Sequence, residues 1–135
     1  MSSDRNILII EDDKAMRLVL AALVDKEPGL KAIQAGDGAE AVEMATDLEI
    51  SVIVLDMMLP DMSGLEVLQK ISDARDRDLP PVIVITGSSR TVTPDEVIRG
   101  SFTGGIYEIF RKPIEQGRFV EALHECVDEG PIVGE

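Results

Sequence analysis

At 135 residues the chain is one domain's worth, long enough to close a single core without disulfide or metal staples. Its 26 acidic against 13 basic residues give a formal net charge of −13, which argues against direct binding to nucleic acid or to an anionic membrane and for partners carrying cations or basic patches. A lone cysteine, Cys126, allows no internal disulfide and no secretory pattern opens the chain. No apolar stretch approaches the roughly 20 residues a spanning helix needs, so a soluble, cytoplasmic protein is expected.

The first element is ILII, residues 7–10, apolar throughout, as strands buried on both faces are. It stops against Glu11, Asp12 and Asp13. Three adjacent carboxylates repel one another, so the run calls either for water on an exposed turn or for a cation. Met16, Val19, Leu20 and Leu23 follow at helical spacing. KAIQA (31–35) reads as a weaker second strand, and AGDG (35–38) turns it into a second helix with Ala41, Val42 and Ala45 inward. VIVL (52–55) is the third strand, followed by Asp56, with Ser63 capping a third helix built on Leu65, Leu68 and Ile71.

After the charged loop 73–81 comes VIVI (82–85), then Thr86 and Gly87. Pro94 suits the first turn of a further helix, and GSFTGG (100–105) a loop. IYEIF (106–110) is the fifth strand, ending before Lys112; strict alternation sets Tyr107 on the face of Ile109 and Phe110 on the other. The last helix carries Phe119, Val120, Leu123 and Val127, with His124 a surface residue and Cys126 a partly buried small side chain. Residues 1–127 are expected to form the domain and 128–135 a tail or linker.

Strands alternating with helices imply a doubly wound α/β architecture, a five-stranded parallel sheet with helices on both faces, which binds ligands outside the carboxyl ends of its strands. At those ends stand Glu11 and Asp12, Asp56, Thr86 and Lys112. Three acids, a hydroxyl and an ammonium have the composition of a divalent-metal site with a nucleophile. Each residue alone has an ordinary explanation: a solvated helix cap, a β-branched strand residue, a surface charge. Their recurrence at four different strand ends is better explained by one site.

These residues resemble the receiver domain of bacterial two-component response regulators, a chemotaxis-regulator-like family with the flavodoxin-like fold and strand order 2-1-3-4-5. The resemblance covers nearly the whole chain, through ILIIEDD, VIVLDMMLPDMSGLEVL, VIVITG and FRKP. It implies that Asp56 is the phosphoacceptor, attacking a phosphoryl group carried by a histidine kinase or histidine phosphotransfer protein. It also implies Mg2+ as cofactor, ligated by Asp12, Asp56 and the main-chain carbonyl of Met58 and reached by Glu11 through water. Thr86 would hydrogen-bond one phosphoryl oxygen, Lys112 would pair with another, and Gly87 would leave the group room. A domain of this kind catalyses its own phosphoryl transfer and slow autodephosphorylation rather than acting as a classical enzyme. Pro113 implies a cis peptide after Lys112, and Asp13 is left to cap the first helix.

Two departures stand out. The segment between Thr86 and Lys112 is longer than receivers generally have, and Ile109 stands where they usually carry an aromatic three residues before the lysine. The switch is therefore expected in the 88–105 segment rather than in a rotating tyrosine. Rival readings fare worse: a flavin-binding relative would need Gly, Ser or Thr donors after the first strand where Glu11, Asp12 and Asp13 stand, and a haloacid-dehalogenase-type phosphatase needs an acid at Met58. A phosphorylation-independent receiver-like adaptor has no use for the full acid, Thr and Lys set. The downstream effector protein is unspecified by the sequence.

Overall fold

The computed structural model describes residues 4–57, 59–74, 79–87 and 106–129. Met58, the 88–105 segment with its expected helix at Pro94, and residues 130–135 of the expected tail lie outside them. Five strands, β1 (Arg5–Ile10), β2 (Leu30–Ala35), β3 (Val52–Asp56), β4 (Val82–Thr86) and β5 (Ile106–Arg111), form one sheet in the order β2-β1-β3-β4-β5, every neighbouring pair parallel. The helices among the described residues are α1 (Lys14–Asp25), α2 (Gly38–Asp47), α3 (Gly64–Ala74) and α4 (Gln116–Glu129). None is long and apolar enough to cross a membrane.

The apolar runs are continuous because both faces of the central strands are covered. On one face Ile7, Ile9, Val54, Ile83 and Ile85 pack with Leu20 and Val24 of α1 and Phe119 and Leu123 of α4. On the other Leu8, Ile10, Ile53, Leu55 and Val84 pack with Ala41 and Ala45 of α2 and Val67, Leu68 and Ile71 of α3. Each Val, Leu or Ile among them contributes about 1.5–3 kcal/mol on full burial. Phe110 and Phe119 meet edge to face, 6.0 Å between ring centroids, an aromatic geometry that adds to the area buried. The local signals behave as read: Asp13 caps α1 by accepting from the Ala15 amide at 3.2 Å, and Ser63 Oγ accepts from the Glu66 amide at 3.1 Å.

Several expectations need correction. Val19 does not face the core: it is 44% exposed, because the buried stripe of α1 runs through Leu20, Ala21 and Val24, and one residue is about 100° of helix. Tyr107 does not share a face with Ile109. Val82 pairs with Ile106 but Ile83 with Glu108, so the register slips and Tyr107 is an extra residue on β5. It consequently packs with Phe110 against the α1 and α4 side, while Ile109 packs against the α2 and α3 side. Cys126 is fully buried at 2% exposure, and burial pushes its thiol up to about 12. His124 is half exposed as read, but it also meets Glu27 at 2.8 Å, joining α4 to the end of α1.

Candidate functional site

Because all five strands run parallel, their carboxyl ends share one edge, and the pocket is assembled there. The amide of Glu11 continues the β1–β2 ladder by donating to the Ala35 carbonyl at 3.1 Å, which carries the Glu11 side chain into the interior, 1% exposed. Asp12, next in line, is exposed. Asp56 is the last residue of β3 and is 4% exposed. A carboxylate oxygen from each of Glu11, Asp12 and Asp56 lies within 4.8 Å of the others. Lys112, just past β5, sets its Nζ 3.3 Å from Glu11 Oε1 and 3.6 Å from Asp56 Oδ2.

Thr86 ends β4, one residue beyond Ile85, the register partner of Asp56. Its carbonyl accepts from the Lys112 amide at 2.9 Å, so the threonine and the lysine are held by one backbone bond. The Lys112–Pro113 peptide is cis. Gly87 faces the Lys112 stem, a Cβ there falling 3.6 Å from Lys112 Cδ, an ordinary contact distance. Gly64 is a tighter constraint. A Cβ there would come within 2.6 Å of Met57 Sδ and 3.1 Å of the Met57 Cα, and the Gly64 amide donates to the Met57 carbonyl at 3.3 Å. Only glycine lets α3 begin that close behind Asp56.

A model of the response regulator receiver domain matches residues 7–124, nearly the whole described fold and all of the pocket. The chain belongs to this family. Among curated relatives, the protein-glutamate methylesterase/protein-glutamine glutaminase 2 of Methanospirillum hungatei is 31% identical over 128 residues, covering 90% of this chain and 35% of the relative. The cell cycle transcriptional regulator CtrA of Caulobacter vibrioides is 29% identical over 121 residues, covering 90% of this chain and 49% of the relative. The chain thus spans between about a third and a half of those relatives. A crystallised CheY-like response regulator receiver domain protein from Methanospirillum hungatei superposes with a TM-score of 0.79 at 24% identity, covering 94% of this chain and 96% of that one, a likeness of fold.

The electrostatics of this receiver are lopsided. Three carboxylates face one ammonium, and Glu11 Oε1, buried, has no hydrogen-bond partner among the described residues although Lys112 lies near it. Burial pushes the Glu11 carboxyl up to about 7, helped by the bond its protonated form can donate to Asp56 and by the like charge of Asp56; the Asp13 amide and Lys112 oppose this without cancelling it. Partial burial pulls the Lys112 ammonium down, but Asp56 and Glu11 outweigh it and hold it above its ordinary value. A divalent cation bound by oxygen ligands fits this donor set, since it would neutralise the excess charge that burial makes costly.

The structure therefore brings together Glu11, Asp12, Asp56 and Lys112, with Thr86 at the adjoining strand end. Two further residues tie down the segments that carry the acids, and the motif reading passed them over: Arg17 and Asp61. Arg17 donates from Nη1 to the Glu11 carbonyl at 2.9 Å, and Asp61 accepts from the Gly38 and Ala39 amides at 2.9 and 3.0 Å. Each is a polar residue whose partner is backbone of another element. No sequence spacing reveals such a pairing.

Proposed function

We propose that this receiver accepts a phosphoryl group on Asp56 from a phosphohistidine of a histidine kinase or histidine phosphotransfer protein, with Mg2+, and thereby switches docking to an effector protein. The observation that supports it most is the nearly buried Asp56 carboxylate, 3.6 Å from Lys112 Nζ and grouped with the Glu11 and Asp12 carboxylates. Glu11, Asp12, Asp56 and the main-chain carbonyl of Met58 would hold the ion. Bound there, it would offset the carboxylate charge and that of the incoming phosphoryl oxygens.

The residues divide the work. An Asp56 oxygen attacks phosphorus as the N–P bond of the donor breaks, and the departing imidazole keeps that electron pair and takes a proton from water. Lys112 pairs with one phosphoryl oxygen and the Thr86 hydroxyl donates to another, placing positive charge where negative charge is delivered. Residues 1–127 act as the receiver domain and 128–135, which begin with the last two residues of α4, as tail or linker, and the setting is cytoplasmic. An acidic chain with net charge −13 favours donors and effectors with basic docking faces. The relatives are named for an esterase and for a transcriptional regulator, so the output follows from what the receiver is joined to or docks on.

Acetyl phosphate with magnesium should add one phosphoryl group that is acid-stable and base-labile, read by intact mass, and Asp56→Asn should abolish it. A similar yield of the same adduct on Asp56→Asn would overturn the assignment.

A further inference from the structure

The β2–α2 junction, residues 34–39, from the end of the strand into the first residues of α2, takes side-chain hydrogen bonds from Arg17 on the β1–α1 side and from Asp61 on the β3–α3 side. From the β1–α1 side, the Arg17 guanidinium bridges the Glu11 carbonyl at 2.9 Å and Gln34 Oε1 at 3.3 Å. It lies directly over Gly36, where an added Cβ would fall 3.2 Å from Nη1. From the β3–α3 side, both carboxylate oxygens of Asp61 are taken by the Gly38 and Ala39 amides, and the Met62 side chain lies over Gly38, its Cγ 2.5 Å from a Cβ placed there. The turn itself is stiffened: the Gly36 amide donates to Glu40 Oε1 and the Glu40 amide to Asp37 Oδ1, each at 2.8 Å.

We infer that Arg17 and Asp61 are positioning residues for the metal site, using the β2–α2 junction, residues 34–39, as a common brace. This rests on the reading of the pocket as a magnesium-dependent phosphoacceptor. Arg17 grips the carbonyl of the peptide that links Glu11 to Asp12, so it sets the direction in which Asp12 leaves the strand. Asp61 anchors the loop that leaves Asp56 and returns at Gly64. A cationic guanidinium cannot ligate a cation, and the oxygens of Asp61 are already committed to amides. Their contribution is the spacing of the carboxylates. Oxygen ligation of magnesium demands near-octahedral geometry, so a loosened loop is felt as lost affinity.

The test is calorimetric titration of Mg2+ into the metal-free full chain, with thermal unfolding in chelator alongside. Arg17→Ala and Asp61→Ala should each weaken magnesium binding by about 10-fold or more, with Asp61→Asn, which keeps one acceptor, falling between Asp61→Ala and the unaltered protein. Arg118→Ala, which removes an ion-pair cluster on α4, should lower the unfolding midpoint and leave the affinity unchanged. Should the alanine variants not fold, Asp61→Asn and Gly36→Ala, which crowds the guanidinium, carry the same comparison. Variants that lose stability yet bind magnesium as the unaltered protein does would overturn the brace alone. Absence of magnesium binding by the unaltered protein would overturn the reading of the pocket and the brace with it.

Discussion

The Tyr107 hydroxyl donates to the Glu125 carboxylate at 2.5 Å, fastening β5 to α4. That bond above all holds the Glu125 carboxyl below its ordinary value of 4.5; desolvation opposes it, and Arg118 adds to the lowering. Arg118 in turn pairs with Glu108 and Glu121, so the face of α4 beside β5 is a connected polar network. A depressed carboxyl stabilises the fold above its unfolded pKa and ceases to as pH falls through the folded one. Tyr107→Phe should therefore unfold at a lower temperature than the unaltered protein at pH 7, by a few degrees. The difference should narrow on acidification below pH 4.5. A midpoint difference independent of pH would show that the hydroxyl matters through packing.

Glu11 makes the opposite pH signature. Its carboxyl is raised from 4.5 to about 7 in the folded chain, so the stabilisation linked to its proton is complete below the unfolded value and is lost as pH rises through the folded one. In chelator, the unaltered protein should lose stability relative to Glu11→Gln between pH 4.5 and about 7. Thermal midpoints of the two across that window give the comparison. Parallel curves would mean that Glu11 titrates normally.

Asp12 and Asp13 are neighbours with separable roles. Asp13→Ala removes the acceptor for the Ala15 amide and should cost about 1 kcal/mol in urea unfolding, with magnesium affinity retained. Asp12→Ala should do the reverse, weakening magnesium binding strongly with little change in metal-free stability. Equal affinity losses in the two would mean the acid run is misaligned with the pocket.

Phe119 is fully buried against Phe110 and the α1 side chains. Phe119→Ala should destabilise the fold by about 3–5 kcal/mol, the usual cost of a large aromatic cavity. Urea unfolding monitored by circular dichroism gives the value, and a loss below about 1 kcal/mol would mean that α4 collapses to fill the space.

Residue pattern alone placed the five strands, the helices among the described residues and the edge where the acids gather. Apolar runs at 7–10, 52–55 and 82–85 admit little else than strands covered on both faces, and parallel strands must present their carboxyl ends together. Periodicity was less informative about orientation. It could not separate Val19 from Ala21 on α1, since both sit near the margin of a stripe whose centre is set by which strands the helix covers. The bulge at Tyr107 was invisible for a related reason: one extra residue in β5 is defined only against β4, its partner in the sheet. Arg17 and Asp61 belong to the same class, because Arg17 reaches Gln34 on β2 and Asp61 the amides of Gly38 and Ala39, partners that only the fold brings near. The burial of Glu11, and with it the raised pKa, likewise depends on which neighbours close over β1. Residue type fixes what a group can do, and tertiary packing decides what faces it and how much water it keeps.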